Sequence, residues 1–167
     1  MDKPNIIIIN CDDLGYGDLS ACGSQAIHTP NVDRLAEAGA RFTSFYACNA
    51  ICTPSRFGLL TGRYPQRGNL SGLLLPRRNG KMSLRNLLEN GIYAIGWEFY
   101  KFLAKVGLMD FTRIPPVKGI PADEITIAKA LKPAGYRTGM VGKWHLGEFT
   151  YYPEYNPVNY GFDFFYG

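Results

Sequence analysis

Pro4-Asn5-Ile6-Ile7-Ile8-Ile9-Asn10-Cys11-Asp12-Asp13 sets four consecutive β-branched residues just ahead of two adjacent carboxylates. A short continuous apolar run predicts a strand buried on both faces, as in a parallel sheet. Asp12 and Asp13 then fall at its carboxyl end, before the turn Gly15-Tyr16-Gly17, where open α/β sheets bind ligands. Paired carboxylates are costly unless a cation or basic group neutralises them, and such hard oxygen donors suit Ca2+ or Mg2+. An incidental pair in a solvated turn fits the same residues equally well.

Outward from this run, strand and helix signals alternate. Thr29 to Gly39 (TPNVDRLAEAG) has Thr as N-cap, Pro at the first helical position and a terminal Gly, which predicts a helix. Arg41 to Ala47 reads as a second strand. A short helix is expected from Pro54 to Thr61 with Gly62 as its stop, leaving Cys52 just ahead of the helix N-terminus. Ala122 to Lys132 reads as a helix with acids in its first turn, Tyr136 to Val141 as a strand, and Gly142 to Gly147 as the loop at its end. The alternation argues for an α/β architecture with a mainly parallel sheet.

Leu84 to Met109 is different in character. Leu84, Leu88, Ile92, Ile95, Phe99, Phe102, Val106 and Met109 recur at helical spacing, with Tyr93, Trp97 and Tyr100 beside them and Glu98, Lys101 and Lys105 on a narrow polar face. A packed helix and an interfacial helix touching a membrane surface both fit this pattern.

The chain of 167 residues has the length of one domain, and 46% hydrophobic with 19% charged residues suits a globular core rather than disorder. A net charge of +4, with no block of like charges, argues against nucleic-acid binding. Cys11, Cys22, Cys48 and Cys52 contain no zinc-type CxxC pair and do not decide the redox compartment. The first residues, MDKPNIIIIN, lack the basic region and the apolar stretch of about 7 to 15 residues of a signal peptide. The expectation is a cytoplasmic protein, or a periplasmic or secreted one with its leader removed. No apolar run reaches the roughly 20 residues of a membrane-spanning helix.

Besides the Asp12-Asp13 pair, two features carry reactive groups. Cys52, at a helix start and near Arg56, reads either as a stabilised thiolate or as a structural cysteine. His28 and His145 are the only histidines, and spacing identifies neither as its partner. Lys143 and His145 flank Trp144 in a glycine-bounded loop, an alternation that lets both polar groups face one side, as cation for an anionic substrate and proton shuttle. An exposed loop histidine with no role fits too.

Together these segments resemble the sulfatase family. CTPSRFGLLTGR, from Cys52 to Arg63, resembles its first signature, Cys-x-Pro-x-Arg followed by Thr-Gly-Arg, and GYRTGMVGKWHLG, from Gly135 to Gly147, looks like its second. PNIIIINCDDLGYGDLSACG with TPNVDRLAEAGARFTSFYAC resembles the amino-terminal metal strand and first helix, while GIPADEITIAKALKPAGY and YGFDFFYG are similar to arylsulfatase and steryl-sulfatase segments. The match runs from residue 4 to about 167 in the family's order, with residues 68–118 fitting worst.

The resemblance implies an alkaline-phosphatase-like α/β fold, a mainly parallel sheet flanked by helices, and a sulfuric ester hydrolase. It implies that a formylglycine-generating enzyme, reading Cys-x-Pro-x-Arg, oxidises Cys52 to Cα-formylglycine, whose hydrate has two hydroxyls. One attacks sulfur with help from Ca2+ or Mg2+; the other then allows sulfate to be expelled. Asp12, Asp13 and the modified Cys52 match the metal-ligand positions. Arg56 matches the residue that holds the diol, Lys143 the one that binds a sulfate oxygen, and His145 the base for sulfate release. A sulfated small molecule or glycan is the implied substrate.

Family members are longer and take further ligands, an Asp and an Asn, together with a second lysine and a histidine, from a later segment. Residues 1–167 are therefore expected to be the amino-terminal part of a sulfatase catalytic domain, incomplete at the C-terminus, with an apolar insertion at 81–113. Hydrolysis of phosphate or phosphonate esters by the same apparatus, and a non-catalytic fragment, are the alternatives.

Overall fold

The computed structural model describes residues 3–72, 74, 119–150 and 152–167. The apolar stretch 84–109, and with it the predicted helix and membrane contact, lies outside the described residues. The chain forms two compact units, Met1–Tyr46 and Ala47–Gly167.

In the first unit, helix α1 spans Pro30–Ala38, with Thr29 as N-cap and Gly39 as C-cap, as the sequence predicts. The Thr29 hydroxyl does not cap the helix; it joins a network in which the Asp33 carboxylate accepts from Ser20 Oγ at 2.6 Å, from the Ala21 N–H at 2.8 Å and from Thr29 Oγ1 at 3.2 Å. The Ser20 hydrogen bond leads in holding the Asp33 carboxyl below its ordinary range. The network fastens the 3-10 turn Ser20–Cys22 to the start of α1.

The strand predicted over Ile6 to Ile9 does not form. These side chains stand 51%, 85%, 50% and 79% exposed, and no described strand pairs with them. A run of isoleucines favours extended backbone, but a strand is defined by its neighbours' hydrogen bonds, and a doubly buried one needs covering on both faces. The strand predicted over Arg41 to Ala47 is corrected for the same reason: Phe42, Phe45 and Tyr46 are exposed, with the two phenylalanine rings 6.2 Å apart.

The second unit carries the core. Helix α2 spans Cys52–Thr61, two residues longer at its start than predicted, so Cys52 sits in the first turn rather than ahead of it. Pro54 is tolerated there because first-turn N–H groups have no helical partner. Gly62 ends the helix at φ 65°, its N–H bonding to Gly58 O at 2.9 Å.

The helix predicted over Ala122 to Lys132 is shorter: α3 spans Ile127–Leu131 and leads into a 3-10 turn at Lys132–Ala134. Thr126 is the true N-cap, accepting from the Lys129 N–H at 3.1 Å. Asp123 and Glu124, read as first-turn acids, therefore lie outside the helix.

Strand β1, Gly139–Val141, is the core of the predicted 136–141 strand, and it pairs in parallel with β2, Phe164–Tyr166, Gly139 opposite Phe164 and Val141 opposite Tyr166. Beneath the loop after β1, Phe57, Leu70, Ile120, Ala128, Trp144, Leu146, Tyr160 and Phe162 form one buried cluster. Trp144 lies 5.6 Å from the Tyr160 ring and 6.3 Å edge-on from Phe162, and its Nε1 donates to Tyr155 O at 2.9 Å. Burial pushes the Tyr160 hydroxyl up to about 12, and it donates to Ile120 O at 2.8 Å. Among the described residues no helix is long and apolar enough to cross a membrane.

Candidate active site at the start of helix α2

The loop after β1 is built from the core outward. Trp144 and Leu146 are buried at 2% and 0% exposure, which leaves Lys143 exposed and His145 half-buried between them. Gly142 turns the chain at φ 99°, and its N–H donates to Tyr166 O at 2.8 Å, so the loop leaves the carboxyl end of β1 from a fixed point. His145 itself has φ 54°, a left-handed conformation uncommon outside glycine and found where the surroundings dictate it.

This conformation accompanies a contact that spacing did not disclose. Cys52 Sγ lies 3.2 Å from His145 Nδ1, across 93 positions of sequence. On the other side of the ring, Nε2 lies 3.1 Å from Leu74 O. Arg56 is 9% exposed, and its Nη1 donates to the carbonyl of Lys143. The structure therefore brings together Cys52 with His145 and Arg56 with the Lys143 backbone. Arg56, proposed from sequence as the thiolate's neighbour, braces the loop, while the side chain at Cys52 is His145. Residue 52 also lies at the positive end of the α2 dipole, where developing negative charge is favoured.

Residues 4–167 match the Sulfatase family model. The chain belongs to the sulfatase family. Human arylsulfatase H and human steryl-sulfatase are each 39% identical over 168 aligned positions, covering 99% of this chain. The chain spans about a quarter of their length, 24% and 23%. Among solved structures, Ps i-CgsB superposes with a TM-score of 0.68 at 34% identity, over 98% of this chain and 28% of that one. The Bacteroides thetaiotaomicron structure BT33336S-sulf gives 0.61 at 36%, over 93% and 26%. The α/β class read from sequence is thus the sulfatase fold, of which this sulfatase chain contains part.

Asp12 and Asp13 belong to the first unit, both exposed, Asp13 with a left-handed φ of 58°. Their adjacent carboxylates fit the hard-oxygen preference of a divalent cation, as two of the six to eight ligands that Ca2+ takes. Among the described residues no group of three or more His, Cys, Asp and Glu side chains is assembled for a metal.

Sequence reasoning missed three contributors. Leu74 acts through its backbone, which no side-chain motif reports. Thr53 reads as the variable position of Cys-x-Pro-x-Arg, yet its hydroxyl is fully buried and accepts from the Leu74 N–H at 3.4 Å. Arg63, the last residue of the first signature, pairs with Glu124 at 2.6 Å; the opposite charges were visible, their proximity was not.

Proposed function

We propose that this chain is the amino-terminal part, residues 1–167, of a sulfatase catalytic domain whose full-length protein hydrolyses a sulfate ester at residue 52. The observation that carries the reading is the 3.2 Å contact between Cys52 Sγ and His145 Nδ1, inside the two segments that resemble the family signatures. A nucleophile-bearing side chain within hydrogen-bond reach of a base is what covalent hydrolysis requires.

Cys52 is the position where formylglycine would stand, installed by a partner enzyme that reads Cys-x-Pro-x-Arg; when present it supplies two hydroxyls, one to attack and one to permit release. Asp12, Asp13 and residue 52 would hold Ca2+ or Mg2+, which supplies Lewis-acid polarisation. His145 Nδ1 takes the proton that must leave the side chain of residue 52 for sulfate to be expelled. Lys143 offers its ammonium to a sulfate oxygen, and Arg56, four positions on from residue 52 in α2, fastens the Lys143 backbone and would hold the diol as the family resemblance implies. The substrate class is a sulfated small molecule or glycan; Ps i-CgsB has been solved with k-i-k-neocarrahexaose, which supports the glycan side of that choice.

Turnover of p-nitrophenyl sulfate beside p-nitrophenyl phosphate by the full-length protein tests the reading. Faster sulfate hydrolysis is expected; faster phosphate hydrolysis would assign the chain to phosphoester chemistry instead.

A further inference from the structure

Resting on the reading of His145 as the base at residue 52, we propose that Thr53 and the Leu74 backbone decide which nitrogen of His145 carries the proton, leaving the other free to accept from that residue. The two ring nitrogens have different neighbours: Nδ1 has the Cys52 side chain at 3.2 Å and Nε2 the Leu74 carbonyl at 3.1 Å. A carbonyl oxygen only accepts hydrogen bonds, so Nε2 carries the proton. In the neutral ring the lone pair then resides on Nδ1, pointed at residue 52. The thiol in this structure can donate to it, and so can a hydroxyl standing in the same place.

The Leu74 carbonyl is itself held. The Leu74 N–H donates to Thr53 Oγ1 at 3.4 Å, and Thr53 is fully buried in the first turn of α2, next to Cys52. The contacts close a circuit: one helical turn presents residue 52 and, through Thr53 and Leu74, holds the carbonyl that sets the histidine tautomer. His145 is fixed from its other side by Trp144 and Leu146, both in the core. Because the motif Cys-x-Pro-x-Arg leaves the position of Thr53 open, the motif gives no reason for a hydroxyl there. The circuit does. Thr53 and Leu74 are positioning residues, acting through His145.

The test is the tautomer of His145 in 15N-histidine-labelled full-length protein, read from long-range 1H–15N correlations at a pH where imidazole is neutral. The Nε2–H form is expected; an Nδ1–H form would overturn the proposal. Thr53→Val, nearly isosteric but without the hydroxyl, should mix the two tautomers and lower kcat by about 10- to 100-fold at unchanged KM, with Thr53→Ser restoring both. A Thr53→Val protein with the wild-type tautomer and kcat would refute the role of the hydroxyl. Should Thr53→Val not fold, the wild-type spectrum still decides. An Nε2–H tautomer in a protein inactive on sulfate esters would sink the functional reading and leave this one standing; an Nδ1–H tautomer in an active sulfatase would do the reverse.

Discussion

Arg63 Nη1 lies 2.6 Å from Glu124 Oε1, an ion pair between residues 61 positions apart in which the carboxylate is 4% exposed and the guanidinium 44%. The second carboxylate oxygen, Oε2, is buried with no hydrogen-bond partner among the described residues. The pair ties the segment after α2 to the segment before α3, and Lys129 Nζ adds bonds to the carbonyls of Ala122 and Glu124, both at 2.9 Å. Arg63→Met removes the charge partner that a buried carboxylate has among the described residues, a loss of about 1–3 kcal/mol. Urea unfolding of the full-length protein checks this, and the double variant Arg63→Met/Glu124→Leu should recover most of the loss. A single variant as stable as wild type would show that the pair contributes nothing.

Gly161 and Gly139 make a matched pair of backbone tests. Gly161 has φ 99°, and an added Cβ would meet Lys129 N at 2.4 Å, backbone that cannot move aside. At Gly139 the nearest atom would be Phe164 Cδ1 at 3.6 Å, an ordinary contact. Gly161→Ala is therefore expected to cost about 1–3 kcal/mol or more, and Gly139→Ala close to nothing. Equal thermal stability of the two variants would contradict this account of the turn after Pro157–Tyr160.

Asp163 links β2 to the start of β1 in a pH-dependent way. Its carboxylate accepts from Lys132 Nζ at 2.6 Å, from the Thr138 N–H at 2.8 Å and from Thr138 Oγ1 at 3.2 Å. The Lys132 bond, then the Thr138 N–H, lowers the carboxyl from 3.8 to about 2. Since the folded value lies below the unfolded one, the stabilisation is present above about pH 4 and is lost as the pH falls towards 2. Asp163→Asn should flatten the dependence of the unfolding midpoint on pH within that window. A variant that retains the wild-type slope would remove Asp163 from the acid response.

What was legible in the sequence follows from how local each determinant is. Helix α1 was read correctly because Pro30 at its first position and Gly39 at its end act on their own neighbours, although the Thr29 hydroxyl serves the Ser20–Asp33 network instead of capping. The Ile6 to Ile9 strand and the start of α3 were misread for different reasons: the first needs pairing partners from distant chain, and at the second Thr126 caps the helix while Glu124, outside it, pairs with Arg63. At the site, Cys52, Arg56, Lys143 and His145 were all singled out as residue types in motifs. Their pairing was not, since the Cys52–His145 contact spans 93 positions and comes with a left-handed backbone at His145 and a backbone carbonyl at Leu74, neither of which residue types report.

Cys52→Ser separates the two halves of the proposed reaction. A serine side chain offers one hydroxyl to attack sulfur and has no second to expel sulfate, so a single equivalent of alcohol should be released before the protein stalls. Quench-flow measurement of product per protein checks the stoichiometry, and sustained turnover by Cys52→Ser would contradict the need for a second hydroxyl.

The central claim, that the CTPSR segment is a site of modification rather than a thiol site, is tested most directly by peptide mass spectrometry across Cys52 in active full-length protein. The account predicts the mass of the aldehyde, Cα-formylglycine, at position 52. An unmodified cysteine at that position in protein that still turns over a sulfate ester would contradict it.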